Sequence, residues 1–147
     1  MTTPSGQTID LAGLRLQAFR DQPVAVLGLA RSGIALTRFL TDYGAQVTVY
    51  DNRPADQLAD ALEALGDRRP RLLLGPDIDP IQALDGQALI CTSPSVNSRY
   101  PTTEPRLRAA LAAVESAGRV PVVSDVDLFL RLCPAATGGV TGTKGKT

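Results

Sequence analysis

The chain has 147 residues, 44% of them hydrophobic and 20% charged, as expected of a globular protein with about one domain's core. Its 15 basic and 15 acidic side chains cancel, so no overall field attracts nucleic acid or an anionic membrane. No apolar stretch approaches the roughly 20 residues that cross a bilayer, and the N-terminus lacks a secretory signal, so we expect a cytoplasmic protein without membrane insertion.

Strand-like apolar runs alternate with helical patterns along the chain. The runs that predict strands are Val24–Leu27, Val47–Tyr50, Arg71–Leu74, Ala88–Thr92 and Val120–Val123. Pro121 places the last of them at the beginning of a strand or at a sheet edge. Continuous apolar strands that alternate with helices predict an α/β, Rossmann-like doubly wound fold. Its sheet would be mainly parallel and five-stranded, with helices on both faces in a three-layer αβα arrangement.

Helices are predicted where apolar residues recur every three or four positions. The three stripes are Leu36, Phe39, Leu40 and Tyr43; Leu58, Ala61, Leu62 and Leu65; and Leu107, Ala110, Leu111 and Val114. A glycine follows each stripe as a stop, at Gly44, Gly66 and Gly118. Ser124 is a candidate N-cap for a further helix, whose apolar stripe is Val126, Phe129, Leu130 and Cys133. Leu11, Leu14, Leu16 and Phe19 predict a short helix or a segment that lies across the sheet.

The segment Gly28–Gly33, between the first strand and the first helix, has the sequence Gly-Leu-Ala-Arg-Ser-Gly. It is nearly the dinucleotide fingerprint Gly-x-Gly-x-x-Gly, with Ala30 at the middle glycine. The methyl group of Ala30 weakens a dinucleotide interpretation, but it leaves an anion site at the N-terminus of the helix. A purely structural turn is the alternative.

Polar residues follow two of the predicted strands. Asp51, Asn52 and Arg53 follow the second strand, and Asp51 lies 23 residues after Gly28. At the carboxyl end of a central strand such side chains are placed to contact a ligand, although they could also cap a helix that begins at Pro54. The loop Ser93–Ser98 follows the fourth strand and could present backbone N–H groups to a phosphate or form an ordinary turn.

The last residues of the sequence resemble a phosphate-binding loop. The residues predicted to bind ATP are Gly142, Thr143, Lys144, Gly145, Lys146 and Thr147. In such a loop the lysine contacts the β- and γ-phosphates and the hydroxyl holds Mg²⁺, here Lys146 and Thr147. Val140 stands where the general pattern has a glycine, so a short variant of the loop is predicted. Because a helix completes such a site, we expect the chain to be the front part of a longer nucleotide-using enzyme.

The cysteines do not suggest a metal site. Cys91 and Cys133 lie far apart in apolar segments, and the chain has no histidine. This pattern argues strongly against a zinc site, and we expect two buried thiols in a reducing compartment.

Taken together and in this order, the motifs resemble the Mur ligases of peptidoglycan synthesis, and thus of cell-wall biogenesis, cell shape and cell division. The matching segments are Val26–Gly33, Asp51–Arg53, Ser93–Ser95, Ser124–Phe129 and Val140–Thr147. The resemblance implies a Rossmann-like domain over residues 1–135 that binds the UDP of a sugar nucleotide. Residues 136–147 would begin an ATPase domain, and a third domain would carry the incoming amino acid. The closest member of the family implies UDP-MurNAc-L-Ala and D-glutamate as substrates, joined through an acyl phosphate with ATP and Mg²⁺.

The resemblance also implies roles for individual residues. Arg31 and Ser32 would lie by the diphosphate. Asp51, Asn52 and Arg53 would line the uracil pocket, and Ser95, where the family usually has glycine, would approach the diphosphate. We expect no catalytic residue in this chain, no ligase activity of it alone, and no ATP or Mg²⁺ bound to it.

Two other interpretations remain open at this point. In an NAD(P)-binding domain of an oxidoreductase, Asp51 and Arg53 would select a ribose or a 2′-phosphate. A regulatory nucleotide sensor of the same fold is the third. Ala30 and the terminal Gly-Lys-Thr both weigh against the oxidoreductase.

Overall fold

The computed structural model describes residues 9–93, 96, 98 and 103–132. Over these residues the chain forms a five-stranded sheet in the order β3-β2-β1-β4-β5. The strands are β1 (Pro23–Leu27), β2 (Gln46–Asp51), β3 (Arg71–Leu74), β4 (Leu89–Thr92) and β5 (Val122–Ser124). Every neighbouring pair is parallel. The predicted parallel sheet is confirmed, and β5 is an edge strand that begins just after Pro121.

Helices connect the strands. They are α1 (Arg31–Asp42), α2 (Ala59–Ala64), α3 (Ile81–Leu84), α4 (Pro105–Ala117) and α5 (Asp125–Leu132), with 3₁₀ helices at Leu16–Phe19 and Ala55–Leu58. The three predicted stripes lie on α1, on the 3₁₀ helix with α2, and on α4, with Tyr43 and Leu65 as the C-cap residues of the first two. Helix α4 ends directly before Gly118, and α1 and α2 end two residues before Gly44 and Gly66. The sequence pattern did not predict α3, because four residues are too few to show a helical period.

The sheet has a buried core on each face. Alternate residues of β1 point to opposite sides, so that Val24 and Val26 belong to one core and Ala25 and Leu27 to the other. The first core packs against α1, α2 and α5, and the second against α3 and α4. Helices therefore cover both faces, which confirms the three-layer αβα arrangement.

The apolar stripe predicted for α5 is wrong in its phase. Leu128 is fully buried and Leu132 packs against the same core, whereas Val126 and Leu130 are 54% and 48% exposed. Phe129 is 38% exposed and meets Phe39 edge-on. The sequence of α5 is apolar on two faces, and only its position beside β5 decides which face is buried. The predicted N-cap is confirmed, because Ser124 Oγ accepts a hydrogen bond from the N–H of Asp127 at 3.1 Å.

The segment before β1 closes the first core. Leu14 and Phe19 are buried there, and Phe19 lies in the 3₁₀ helix. The N–H of Ile9 donates to the carbonyl of Ala88 at 3.0 Å, which ties the segment to the sheet. The predicted short helix is thus confirmed for Leu16 and Phe19 as one 3₁₀ turn, whereas Leu11 and Leu14 precede it.

Two further predictions concern membranes and thiols. Within the described ranges, no helix has the length and apolar character to cross a bilayer. Cys91 is a fully buried free thiol, and burial raises its pKa. Cys133 lies outside the described residues.

Candidate functional site

A cleft of about 420 Å³ opens at the carboxyl ends of β1, β2 and β4. It is lined by Gly28, Ala30, Gly33, Tyr50, Asp51, Asn52, Arg53, Ser93, Val96, Thr103, Glu104 and Leu107. The cleft lies where the strand order turns back at β1, the position at which open α/β sheets bind ligands. A second hollow of about 470 Å³, lined by Arg20 and Asp42 among others, includes none of the predicted site residues.

The glycine turn forms one wall of the cleft and needs both of its glycines. Gly28 has a φ of +92°, which an L side chain rarely adopts. A Cβ at Gly33 would lie 1.8 Å from the carbonyl oxygen of Gly28, so α1 can approach β1 this closely only with glycine. The sequence-based reason for the third glycine of the fingerprint, close packing of helix on strand, is confirmed.

The N-terminus of α1 faces the cleft. Ala30 is its N-cap residue, with extended backbone and an exposed side chain. Arg31 and Ser32 form the first turn between Ala30 and Gly33, but they are not among the residues that line the cleft. The first turn has no acidic side chain, so the N–H groups and the positive end of the helix dipole remain available to an anion.

Asp51 holds the glycine turn in place. Its Oδ2 accepts from the N–H of Leu29 at 2.8 Å and from Arg53 Nη2 at 2.9 Å. Its Oδ1 accepts from the N–H of Arg53 at 2.9 Å and from Arg53 Nε at 3.0 Å. Asp51 is 6% exposed, so this carboxylate is buried and used on both oxygens. The sequence-based alternative, a cap for the helix after Pro54, is wrong, because that helix receives no side-chain cap.

The environment of Asp51 keeps it ionised. Burial is the largest influence and favours the neutral acid. Hydrogen bonds to the carboxylate together outweigh the effect of burial and lower the pKa of Asp51. They come from the Arg53 side chain and from the backbone N–H groups of Leu29 and Arg53. Arg53 itself is 48% exposed and Asn52 is exposed, and both lie on the rim. Arg53 therefore keeps N–H donors that a ligand can reach.

The opposite wall comes from the beginning of α4. Glu104 is the N-cap residue, and its carboxylate accepts from the N–H of Arg106 at 3.2 Å and of Leu107 at 3.0 Å. Arg106 Nε also donates to Glu104 Oε1 at 3.0 Å, while its Nη2 donates to the carbonyl of Pro76 at 2.8 Å. Burial favours the neutral acid, but these donors outweigh it and lower the pKa of Glu104.

Tyr50 lies between the two walls. Its side chain is 1% exposed and lines the cleft, and its hydroxyl has no hydrogen-bond partner among the residues that the structure describes. Burial, and then the nearby negative charge of Glu104, raise the pKa of Tyr50 to about 12. The sequence patterns predicted a role for neither Tyr50 nor Glu104. The available signals were Glu104-Pro105 before an apolar stripe, a helix-start pattern, and a tyrosine at the end of an apolar strand.

Some predicted site residues lie outside the described part of the chain. Ser93 lines the cleft, but Ser95 lies outside the described residues. So do the predicted ATP-binding residues, Gly142, Thr143, Lys144, Gly145, Lys146 and Thr147. Their roles stay predictions. Over the described ranges, no group of three or more cysteine or acidic side chains could hold a metal ion.

Curated relatives were found, although no family model matches the chain. The UDP-N-acetylmuramoylalanine–D-glutamate ligase of Lactococcus lactis subsp. cremoris is 35% identical over 134 residues, 90% of this chain and 27% of that protein. The ligase of the same name from Ruminiclostridium cellulolyticum is 33% identical over 128 residues, 87% of this chain and 25% of that protein. A third, from Listeria monocytogenes, is 31% identical over 134 residues, 90% of this chain and 27% of that protein. This chain is a homologue of these ligases.

The homology confirms the resemblance to the Mur ligases that the motifs predicted. The chain spans about a quarter of the length of these curated relatives. A match to 87% or more of the chain necessarily includes the central residues that build the cleft.

Solved structures share only the general fold. A dipicolinate synthase from Bacillus halodurans matches with a TM-score of 0.47 and 22% identity over 70% of this chain and 38% of that one. Shikimate dehydrogenase from Aquifex aeolicus matches with a TM-score of 0.45 and 16% identity over 76% of this chain and 45% of that one. Scores this low support no functional argument.

Proposed function

We propose that this chain binds the uridine diphosphate part of UDP-N-acetylmuramoyl-L-alanine, within a cytoplasmic ligase that adds D-glutamate to it. The observation that carries the proposal is the 31–35% identity to ligases of that name over about nine-tenths of the chain. Because the chain spans about a quarter of those relatives, the ligase reaction would need further domains, and this chain alone would be inactive.

The geometry of the cleft supports a diphosphate ligand. The N-terminus of α1 offers backbone N–H groups and the positive end of the helix dipole, with no acidic side chain in its first turn. Arg53 lies on the rim with part of its guanidinium exposed. Arg31 and Ser32 belong to the same first turn, and we place the diphosphate against that turn.

The ATP-dependent step would use the predicted phosphate-binding loop, which lies outside the described residues. Lys146 and Thr147 would hold the triphosphate and Mg²⁺ in the longer enzyme. When bound there, ATP would supply the phosphoryl group that activates the carboxylate of the substrate as an acyl phosphate.

The oxidoreductase alternative is less well supported. In a dinucleotide site the acidic residue at the end of the second strand accepts a hydrogen bond from a ribose hydroxyl. Here Asp51 already accepts four hydrogen bonds from Leu29 and Arg53. A ribose would have to compete with them.

Isothermal titration of the chain with UDP-N-acetylmuramoyl-L-alanine, and separately with NADH, tests the proposal. Ala30→Asp places a carboxylate at the N-cap of α1, where it should stabilise the helix by about 1 kcal/mol. It should also repel a diphosphate and weaken binding of the UDP-sugar at least about tenfold, or about 1.4 kcal/mol. Ala30→Ser is the matched control, because it adds a capping side chain without a charge.

The results separate the two functions. We expect binding of the UDP-sugar by the original chain and the Ala30→Ser variant, with a large loss for Ala30→Asp. No heat of binding at millimolar UDP-sugar, together with tight NADH binding, would overturn the proposal in favour of an oxidoreductase domain.

A further inference from the structure

Helix α5 has apolar side chains on two sides. On one side Leu128 is fully buried in the first core, and Leu132 packs against the same core. On the other side Val126 and Leu130, which are four residues apart and therefore neighbours on the helix surface, are about half exposed. Helices that are apolar around most of their surface are normally buried within larger proteins. The exposed side of α5 therefore calls for a covering surface.

The exposed side is fixed by the rest of the fold. Arg131 Nε donates to Asp127 Oδ1 at 3.1 Å, and its Nη1 donates to the carbonyl of Leu11 at 3.4 Å. The polar side of α5 is thus joined to the segment before β1, while Leu128 holds the helix to the core. A rotation that buried Val126 would bring Leu128 into water. Turning the helix therefore cannot cover this side.

Aromatic rings continue this surface onto α1. The rings of Phe129 and Phe39 meet edge-on with centroids 5.2 Å apart, and those of Phe39 and Tyr43 are 4.9 Å apart. Phe39 also meets the fully buried ring of Phe19. The exposed rings are therefore held by contacts that lead into the core, which gives the surface a defined shape. We call this surface, formed by Tyr43, Val126, Phe129 and Leu130, the α5 surface.

Large apolar side chains are exposed mainly on the α5 surface. Among the residues that the structure describes, the exposed ones are the four of this surface together with Leu72 and Ile81. Those two lie on different elements, β3 and α3. Scattered apolar residues are normal on a protein surface, whereas a contiguous group marks a site of contact with another protein surface.

The length of the relatives and the position of the phosphate-binding loop indicate what covers the α5 surface. This chain spans about a quarter of the curated ligases, so most of such a protein lies outside it. The predicted loop begins at Gly142, and nine residues separate it from Leu132, where α5 ends. A linker of that length spans at most about 35 Å, roughly the diameter of a small domain. The domain that contains the loop therefore starts close to the α5 surface.

We infer that the α5 surface is the docking surface for the domain that contains the predicted phosphate-binding loop. The inference rests on the proposed function, which supplies that domain. Phosphoryl transfer to the substrate carboxylate needs reacting atoms about 3–3.5 Å apart, so the cleft and the loop require a fixed arrangement. A rigid apolar surface provides it, because apolar burial stabilises the contact and little flexibility is lost on docking. The short linker favours docking further, since it keeps the local concentration of the two surfaces high.

Thiol labelling of introduced cysteines tests the docking. Val126→Cys and Leu130→Cys are made separately, each in the 147-residue chain and in the full-length protein. Ile81→Cys is the matched control, because Ile81 is an exposed apolar residue of α3, which packs on the opposite face of the sheet. Two test positions keep the experiment decisive if one variant fails to fold, which circular dichroism checks.

Peptide mass spectrometry follows the modification of each position by a maleimide. Trypsin cleaves after Arg119 and Arg131, so the peptide 120–131 separates both test positions from Cys133. Only the undocked fraction of the full-length protein can react. We expect both test positions to react at least about tenfold more slowly in the full-length protein than in the shorter chain. The control should react equally in both.

The results separate the possible occupants of the α5 surface. Labelling that is slow at every protein concentration, with photo-cross-links from Leu130→Cys to the domain of the phosphate-binding loop, supports the inference. Equal rates in the two proteins, or cross-links to a different domain, overturn it. Slow labelling that appears only as the concentration rises, with a dimer in sedimentation, identifies a second copy of the protein as the occupant and also overturns it. None of these measurements needs ligase activity or a bound nucleotide, so their failure is distinguishable from a failure of the proposed function.

Discussion

Two aspartate–arginine pairs of nearly the same geometry lie at opposite edges of the sheet. At the carboxyl edge, Arg53 binds Asp51 through Nε at 3.0 Å and Nη2 at 2.9 Å. At the amino edge, Arg68 binds Asp42 through Nε at 2.9 Å and Nη2 at 2.7 Å. The side chain of Asp51 is 7% exposed and that of Asp42 is 53% exposed. Equal contact distances therefore accompany very different surroundings.

The surroundings decide what each pair does. Asp42 lies in water, where ion pairs contribute little because solvent screens them and long side chains lose freedom. Asp51 is shielded from water and also accepts the N–H of Leu29, so its loss would leave a backbone donor of the glycine turn without its partner. The Asp51 pair therefore fixes the glycine turn at the carboxyl edge, whereas the Asp42 pair at the amino edge contributes little to the structure.

The first prediction, with the largest expected effect, compares substitutions at the two ends of α1. They are Gly33→Ala near the cleft and Gly44→Ala at the amino edge. The new methyl group at position 33 meets the carbonyl oxygen of Gly28, which is backbone and cannot move aside. We expect a loss of at least about 3 kcal/mol in the free energy of unfolding, or failure to fold.

The control at the amino edge should be much milder. At Gly44 the nearest atom to an added Cβ is 3.5 Å away, and only the φ of +88° opposes the substitution. We expect a cost of about 1 kcal/mol. Urea denaturation followed by circular dichroism measures both variants, and equal losses would contradict the difference between the edges.

The second prediction compares Asp51→Asn with Asp42→Asn. The first replacement removes a buried charge that holds Arg53 and Leu29, and we expect it to lower the free energy of unfolding by about 2 kcal/mol. The second should cause no measurable loss. The same urea experiment measures both variants. A loss for Asp42→Asn as large as that for Asp51→Asn would show that contact distances, rather than burial, decide how much each ion pair contributes to stability.

The third prediction concerns acid. Because the folded-state pKa of Asp51 is lowered, its contribution is fully present above the unfolded value of about 3.9 and is lost as pH falls through the folded value. The difference in unfolding free energy between the original chain and Asp51→Asn should be constant from about pH 5 to 8 and shrink below about pH 4. Denaturation midpoints at several pH values test this, and a difference that grows in acid would refute it.

The smallest expected effect is that of Tyr50→Phe on stability. The substitution removes a buried hydroxyl that has no partner among the described residues, so no hydrogen bond is lost on folding. We expect a change within about 0.5 kcal/mol, or a slight gain. A loss of about 2 kcal/mol or more in thermal or urea unfolding would show that the hydroxyl is bonded within the folded chain.

Local signals predicted most of the elements. The apolar run before Gly28 became β1, the stripe of Leu36 and Leu40 is buried on α1, and the glycine at 118 follows the end of α4. These succeed because strand alternation, helical period and helix stops are properties of a few neighbouring residues. The wrong or missing predictions, for α5 and α3, concern features that a few neighbouring residues do not decide. The buried face of α5 depends on β5, and α3 is too short to carry a period.

The cleft shows the same division. The sequence by itself determined that Gly28–Gly33 and Asp51–Arg53 would meet at the carboxyl edge of a parallel sheet, since parallel strands all end on one side. Only the tertiary structure decided which polar groups were already satisfied. Asp51 accepts a hydrogen bond from the N–H of Leu29, which lies in the turn after β1. The Tyr50 hydroxyl lies near Glu104 and has no hydrogen-bond partner among the described residues. Hydrogen-bond partners come from residues distant in the chain, so no local pattern in the sequence could assign them.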